Sequence, residues 1–328
     1  MKTWIKMIIA SSTITMIIIA GTIVYLQYFA RRRLMISTTT SLDDTGLLAE
    51  IKKAFEARYP ITLNFIPVGT GIAIEQAKNG DVDLTLVHSP SMEKTFLEQG
   101  YGVCRKIIAY NFFTIVGPQT DPAKIVGLNA TDALKSIAAY GRNQTDPRVK
   151  IWISRGDNSG THSKEKSLWT AAGYNYTILS TESWYAGGGG KMGETLLKAE
   201  EFAAYTLSDI GTYLKYSKDG RITLEAFITE EKVLLNVYSV IAVNQTCHPD
   251  VNFNDAITFI KFLISNETQQ LIENYGKNDY GQSLFYAAIE PLKQSSPIQI
   301  VQWIKEYAFF NGSECPEEYR YGQLDLYD

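Results

Sequence analysis

Three short segments place hydroxyl and glycine residues where a predicted strand passes into a predicted helix. They are Thr38 to Ser41, Gly69 to Gly71 and Ser159 to Thr161. The first N–H groups of a helix have no partner within it and carry a partial positive charge, so they attract anions. Hydroxyls add donors, and glycine lets the backbone approach an oxygen closely. Helix capping explains any one such segment, but three together favour a shared anion site.

The third segment follows an arginine at the end of a predicted strand. Arg155 supplies a full charge and a planar donor fork, whereas Ser159 to Thr161 supply neutral donors. Asp157 is placed to orient Arg155 or to cap the helix. Ser159 and His162 do not indicate a serine hydrolase, because both fall in the first helical turn without a nucleophile-elbow pattern. The spacing predicts anion binding rather than catalysis.

Alternating strands and helices position these segments. This alternation predicts an α/β sheet that binds ligands at the carboxyl ends of its strands. The predicted strands cover residues 34–36, 62–67 and 83–87, and the predicted helices cover 45–58 and 72–78.

Two long apolar runs, 107–116 and 233–243, are suited to cross from one domain to another. A complete α/β unit lies between them. Two crossings predict two lobes with a ligand cleft between them, as in binding proteins that close about a hinge. The predicted hinge lies near residues 111–118 and 238–244. The predicted boundaries are residues 34–115 plus 239–328 for lobe I and 116–238 for lobe II.

The N-terminal segment, residues 1–33, differs in composition from the remainder. From Ile5 to Tyr28 it is almost wholly apolar, which is long enough to span a bilayer core at about 1.5 Å per residue. Tyr28 to Ala30 makes a poor cleavage site, so a retained transmembrane helix is favoured over a cleaved signal peptide. Basic residues flank the segment on both sides and leave its orientation open.

The net charge and the cysteine content limit the classes of ligand and partner that the chain is expected to have. The formal net charge of −4 gives no electrostatic case for nucleic acid. Three scattered cysteines do not indicate a metal site or a disulfide framework, although a Cys247–Cys315 bridge stays open, and no metal or cofactor is expected. An excess of N-glycosylation sequons favours an exported glycoprotein. The sequons begin at Asn129, Asn143, Asn175, Asn244, Asn266 and Asn311.

The chain resembles the tungstate-binding proteins of ABC transporters from about Leu34 to Tyr286. The resemblance implies an α/β, two-lobed periplasmic-binding-protein-like fold of type II, outside the cytoplasm, with no catalysis. It also implies an ABC permease and its ATPase as partners. The motifs that carry it are Thr38 to Ser41, Leu86 to Pro90, Tyr110 to Pro118, Ser154 to Glu165, Trp184 to Leu196 and Ala204 to Leu214.

The resemblance also implies which residues contact the anion. Ile210 departs from the pattern, since such proteins usually carry an arginine there, and the tail after Pro291 has no feature of the family. The implied anion-contacting residues are Thr40, Ser41, Gly69, Thr70, Gly71, Arg155, Ser159, Gly160 and Thr161.

The candidate oxyanions differ in whether they carry a proton near neutral pH. Phosphate near neutral pH carries a hydrogen and calls for an acceptor, whereas tungstate, molybdate and sulfate carry none. Phosphate-binding proteins resemble this chain at the arginine loop but offer an aspartate after the third strand, where this chain has His88 to Pro90. Tungstate or molybdate is therefore the predicted ligand, with phosphate or sulfate as the alternative. An anion-sensing surface protein is the second alternative, and three histidines without paired spacing do not indicate a phosphatase or sulfatase.

Overall fold

The computed structural model describes Met16, residues 32–157 and residues 159–327. The predicted transmembrane segment lies, apart from Met16, outside the described residues. No helix within the described part of the chain is long and apolar enough to cross a membrane.

Ten strands form an eight-stranded sheet and a separate two-stranded sheet within the described residues. The strands are β1 (Arg32–Thr39), β2 (Ile61–Val68), β3 (Leu84–Val87), β4 (Gly102–Gly117), β5 (Trp152–Ser154), β6 (Tyr185–Gly187), β7 (Thr206–Asp209), β8 (Glu225–Ile228), β9 (Leu235–Val243) and β10 (Tyr286–Ala287).

Helices alternate with these strands, which confirms the predicted α/β class. They are α1 (Thr40–Asp44), α2 (Leu47–Arg58), α3 (Thr70–Asn79), α4 (Pro90–Glu98), α5 (Ala130–Arg142), α6 (Gly160–Ala171), α7 (Tyr176–Leu179), α8 (Met192–Glu201), α9 (Ile210–Lys218), α10 (Phe253–Leu263), α11 (Asn266–Asn274), α12 (Lys277–Tyr280), α13 (Ile289–Gln294) and α14 (Ile298–Ala308). Short 3-10 helices cover Lys232–Leu234, Glu317–Tyr319 and Leu324–Leu326.

The larger sheet has the order β10-β4-β9-β3-β1-β2, and β7 and β8 also pair with β4. β1 is parallel to both β2 and β3, whereas β9 is antiparallel to both β3 and β4. The sixteen-residue β4 pairs with β9 over its first part and with β7 and β8 at its end. All sixteen of its residues are buried. A single strand therefore joins two groups of strands.

Strand β4 contributes to two apolar clusters. Ile108 belongs to a cluster with Phe55, and its neighbour Ile107 belongs to a second cluster with Trp152 and Trp169. The rings of these two tryptophans have centroids 5.1 Å apart. Successive side chains of a strand point to opposite faces, so one strand can be buried on both of its sides. This double burial explains the long apolar run in the sequence.

The C-terminal tail packs against the beginning of β4. Arg105 is fully buried, with its guanidinium 2.8 Å from the Glu93 carboxylate, and its Nη1 donates to the Glu314 carbonyl at 2.6 Å. Lys106 pairs with the carboxylate of Glu314. The hydroxyl of Tyr327 donates to the carbonyl of Arg105 at 3.0 Å. The tail is thus bound through charged groups that water hardly reaches.

The three cysteines are free thiols. Cys104 and Cys315 are buried, whereas Cys247 is exposed. The Cys247–Cys315 bridge that the sequence left open is therefore not formed. The Sγ atom of Cys104 instead donates to the carbonyl of Arg320 at 3.2 Å, within the tail contact.

Candidate functional site

Three loops meet at one edge of the sheet because of strand register. Thr39 at the end of β1 lies opposite Val68 of β2, and Thr38 lies opposite Leu86 of β3. In parallel strands the carboxyl ends lie at the same edge, so the loops that follow them emerge side by side. These loops carry residues 40–41, 69–71 and 88–89.

The first loop turns directly into the short helix α1. The Thr39 side chain caps this helix by accepting from the Leu42 N–H at 3.4 Å, and the Thr39 and Ser41 hydroxyls lie 3.3 Å apart. Ser41 is buried and Thr40 is half-buried. Because Thr39 forms the cap, the hydroxyls of Thr40 and Ser41 are not needed for capping. Both are among the predicted site residues.

The second loop holds a buried hydroxyl that lacks a partner. Gly69 is the residue before α3, and its missing side chain provides no cap. Thr70 is 2% exposed, and its Oγ1 makes no hydrogen bond with any described residue. An unsatisfied buried hydroxyl costs about 1–3 kcal/mol. A ligand oxygen placed here, at the first turn of a helix next to Gly71, would satisfy it.

Arg155 connects segments that are far apart in the sequence. It follows β5 directly and is 4% exposed. Its Nη2 donates to Thr40 Oγ1 at 3.2 Å, and its Nη1 donates to Thr161 Oγ1 at 3.4 Å. Its Nε donates to Asp157 Oδ2 at 2.9 Å and to the Gly190 carbonyl at 3.3 Å. One guanidinium therefore joins the first and third predicted segments.

Asp157 bonds Arg155, which is one of the two roles that the sequence suggested, whereas the cap of α6 is Ser159. One carboxylate oxygen accepts from Arg155, and the other accepts from the N–H of Ser159 at 3.0 Å. The Ser159 hydroxyl in turn caps α6 by accepting from the His162 N–H at 3.3 Å. Arg155 and the start of α6 are thus held in one orientation by a single side chain.

Gly160 lies directly against the ring of His88. A Cβ atom at residue 160 would lie 2.5 Å from the His88 Cε1 atom, so a larger residue requires the ring to move. Burial, with a smaller contribution from Arg155, lowers the pKa of His88 to about 4. His88 is therefore neutral at physiological pH.

A buried carboxyl that belongs to a recognised motif, but for which the sequence predicted no role, supports the strand before Arg155. Glu165 accepts from Trp152 Nε1 at 2.7 Å and from Ser154 Oγ at 2.8 Å, and it also accepts from the Tyr185 hydroxyl. Burial raises the pKa of Glu165 to about 7. The spacing of Ser154 and Glu165, eleven residues apart across a loop, gives no local pattern that predicts this contact.

The predicted residues form two groups in the structure. Thr40, Arg155 and Thr161 are linked by direct hydrogen bonds. Residues 69–71 lie beside the first loop through strand register, but no hydrogen bond between described residues joins them to Arg155. Ile210, which stands where such proteins usually carry an arginine, lines a pocket of about 70 Å³ with Phe112 and Tyr286.

Comparisons with known proteins find relatives over most of the chain. A PBP superfamily domain model matches residues 29–267. The tungstate-binding protein TupA of Peptoclostridium acidaminophilum is 38% identical over 259 residues, which cover 78% of this chain and 86% of that protein. The solved structure of TupA from Desulfovibrio alaskensis G20 has a TM-score of 0.68 at 39% identity, covering 78% of this chain and 99% of that chain.

The solved structure of the tungstate ABC transporter from Geobacter sulfurreducens has a TM-score of 0.66 at 38% identity. The match covers 75% of this chain and 100% of that chain. These matches confirm the family resemblance that the sequence motifs predicted. The chain therefore belongs to the PBP superfamily and, within it, to the family of TupA tungstate-binding proteins, which are extracytoplasmic, non-enzymatic binding components of transporters.

Proposed function

We propose that this chain captures tungstate, or the closely similar molybdate, in a site centred on Arg155. The observation that carries the proposal is that hydroxyl groups from separate parts of the chain meet at one buried guanidinium. Thr40 lies in the loop after β1, 115 residues from Arg155, and Thr161 lies in α6, 6 residues from Arg155. The unpartnered Thr70 hydroxyl at the neighbouring loop supports it further. A buried dianion needs such donors because water no longer solvates it.

The anion-contacting set proposed here comprises hydroxyls, first-turn N–H groups and one guanidinium. Asp157, the carboxylate bonded to Arg155, already accepts from Arg155 and Ser159. It is therefore engaged in positioning rather than offered to a ligand proton. This favours an unprotonated oxyanion over hydrogen phosphate. The proposed residues are Thr40, Ser41, Gly69, Thr70, Gly71, Arg155, Ser159, Gly160 and Thr161.

Calorimetric titration of tungstate, molybdate, sulfate and phosphate into the chain from Leu34 tests this proposal. We expect tungstate and molybdate to bind far more tightly than the other two anions, because the proposed contacts supply donors and none of them is a carboxylate. Preference for phosphate would contradict the assignment. Equal binding of all four anions would show that the site recognises charge alone.

We also propose that two lobes close over the anion, residues 34–115 with 239–328 and residues 116–238. The hinge is placed near 111–118 and 238–244. The support is that β4 joins two groups of strands and that the Arg155–Thr40 bond spans the proposed lobes. Closure strengthens each hydrogen bond by excluding water. Small-angle scattering should give a smaller radius of gyration with saturating tungstate, and an unchanged profile would indicate a rigid body.

The proposed cellular context is an ABC permease with its ATPase, beside which an N-terminal helix holds the chain on the extracytoplasmic face of the membrane. Glycosylation at the sequons is part of the same proposal. Five sequon asparagines are exposed, and Asn244 is half-buried with its amide donating to the Gly100 carbonyl at 2.7 Å. Surface positions support attachment of a glycan. Asn244 is the sequon least suited to it.

A further inference from the structure

A second pocket lies beside the Arg155 site, along helix α6. It has a volume of about 220 Å³, far more than a single water needs. One wall is formed by Gly160, Ser163, Lys164 and Ser167. This spacing is one face of a helix, because residues three, four and seven apart lie on the same side. Opposite lie residues 88–91, and the aromatic rings of Phe113 and Tyr307 complete the lining.

Lys164 places a buried positive charge in this pocket. The residue is 9% exposed, and its Nζ donates to the carbonyls of Val233 at 3.2 Å and Leu235 at 2.9 Å. The same atom lies 4.3 Å from the centroid of the Tyr307 ring. No carboxylate of the described residues forms an ion pair with it. Burial lowers the pKa of Lys164 to about 7, as expected for an ammonium without a counter-charge.

His88 lines the pocket with a buried imidazole ring. It is 5% exposed, and neither ring nitrogen makes a hydrogen bond with a described residue. Its ring lies 5.0 Å from that of Tyr238, centroid to centroid. A neutral imidazole has one N–H donor and one acceptor nitrogen. Two buried polar nitrogens without partners are costly, and a bound molecule can satisfy them.

The pocket adjoins the proposed tungstate site and has Gly160 in common with it. Thr161, which bonds Arg155, lies roughly 100° around α6 from Gly160, at 3.6 residues per turn. Neither Arg155 nor Thr40 lines the pocket. The two sites therefore share Gly160 but differ in the charged residue that each contains, Arg155 in one and Lys164 in the other.

We propose that this pocket binds a small, singly charged anion, such as a monocarboxylate or chloride. One uncompensated ammonium matches a single negative charge, whereas a dianion would leave a net buried charge. Serine hydroxyls from both walls and the His88 imidazole supply neutral donors. The rings of Phe113 and Tyr307 suit the short apolar body of a carboxylate. The inference does not depend on which oxyanion occupies the Arg155 site.

The test uses the full chain saturated with tungstate, so that the first site is already filled. Sodium acetate and sodium chloride are titrated in separate calorimetric experiments at pH 6.5 and constant ionic strength. We expect saturable binding to one site, with no tungsten released into the ultrafiltrate. Tighter binding of acetate would identify a carboxylate as the preferred ligand, and tighter binding of chloride an inorganic ion.

Lys164→Met removes the charge and keeps the length of the side chain. Acetate and chloride should then bind roughly tenfold more weakly or worse, about 1.4 kcal/mol, while tungstate affinity is largely kept. The matched control is Lys166→Met on the same helix, which should bind both ions as the parent does. Ser167→Asp, at an exposed end of the pocket, should also abolish binding because its carboxylate repels an anion and pairs with Lys164.

Three results would overturn the proposal. The parent chain could show no saturable binding of either ion. Acetate or chloride could release tungstate, which would place both ions in the Arg155 site. The Lys164→Met and Ser167→Asp variants, folded by circular dichroism, could bind as the parent does. Tungstate titration of the same samples separates these outcomes from a failure of the first site.

Discussion

Replacing Arg155 with alanine is expected to weaken tungstate binding by at least roughly a hundredfold. Among the residues proposed to contact the anion, Arg155 alone carries a full positive charge, and it is 4% exposed. Without it, a buried dianion is left with partial charges from hydroxyls and N–H groups. Breaking a buried charge pair costs about 3–5 kcal/mol. Calorimetric titration with tungstate measures the loss directly.

Two further variants separate charge from geometry. Arg155→Lys should recover only part of the affinity, because an ammonium lacks the planar fork that reaches both Thr40 and Thr161. Thr70→Ala removes one neutral donor and should cost about 1–2 kcal/mol. If Arg155→Ala binds tungstate as well as the parent while keeping its circular dichroism spectrum, then the arginine is structural and the site lies elsewhere.

Replacing Arg105 with alanine is expected to lower the free energy of unfolding by about 3–5 kcal/mol. Arg105 and Glu93 are both 0% exposed, and their charged groups lie 2.8 Å apart. The variant leaves the Glu93 carboxylate buried without its counter-charge. It also removes the Nη1 bond to Glu314 that holds the C-terminal tail. Urea unfolding followed by circular dichroism measures the change.

The matched control is Arg58→Ala, which breaks an ion pair of similar length on the surface. Arg58 lies 3.2 Å from Glu267, with side chains 56% and 72% exposed. Exposed pairs contribute about 0–1 kcal/mol because water and salt screen them. Equal losses for Arg105→Ala and Arg58→Ala would show that burial of the first pair has no energetic consequence. The tail contact would then be incidental.

The sequence by itself determined the local elements and the types of residue at the site. Apolar runs predicted the strands near β1, β2 and β3. The structure extends the first two by one to three residues at each end and begins the third one residue later. Hydroxyl and glycine residues at helix starts marked two of the three loops that meet at the sheet edge. These features depend on neighbours within a few residues, so backbone propensity and hydrophobic period reveal them. Recognised motifs added the family, which the comparisons confirm.

Only the tertiary structure decided which of these residues touch. The Arg155–Thr40 bond joins residues 115 apart, and the Arg105–Glu314 bond joins residues 209 apart. Such pairs depend on strand register and on the path of the tail, which no short window of sequence contains. The pocket at Lys164 also depends on the tertiary structure, because its walls come from α6, the loop after β3 and α14. The spacing of the α6 residues that line the pocket is visible in the sequence. The charge of Lys164 becomes buried and uncompensated only when folding removes water from both sides of the helix.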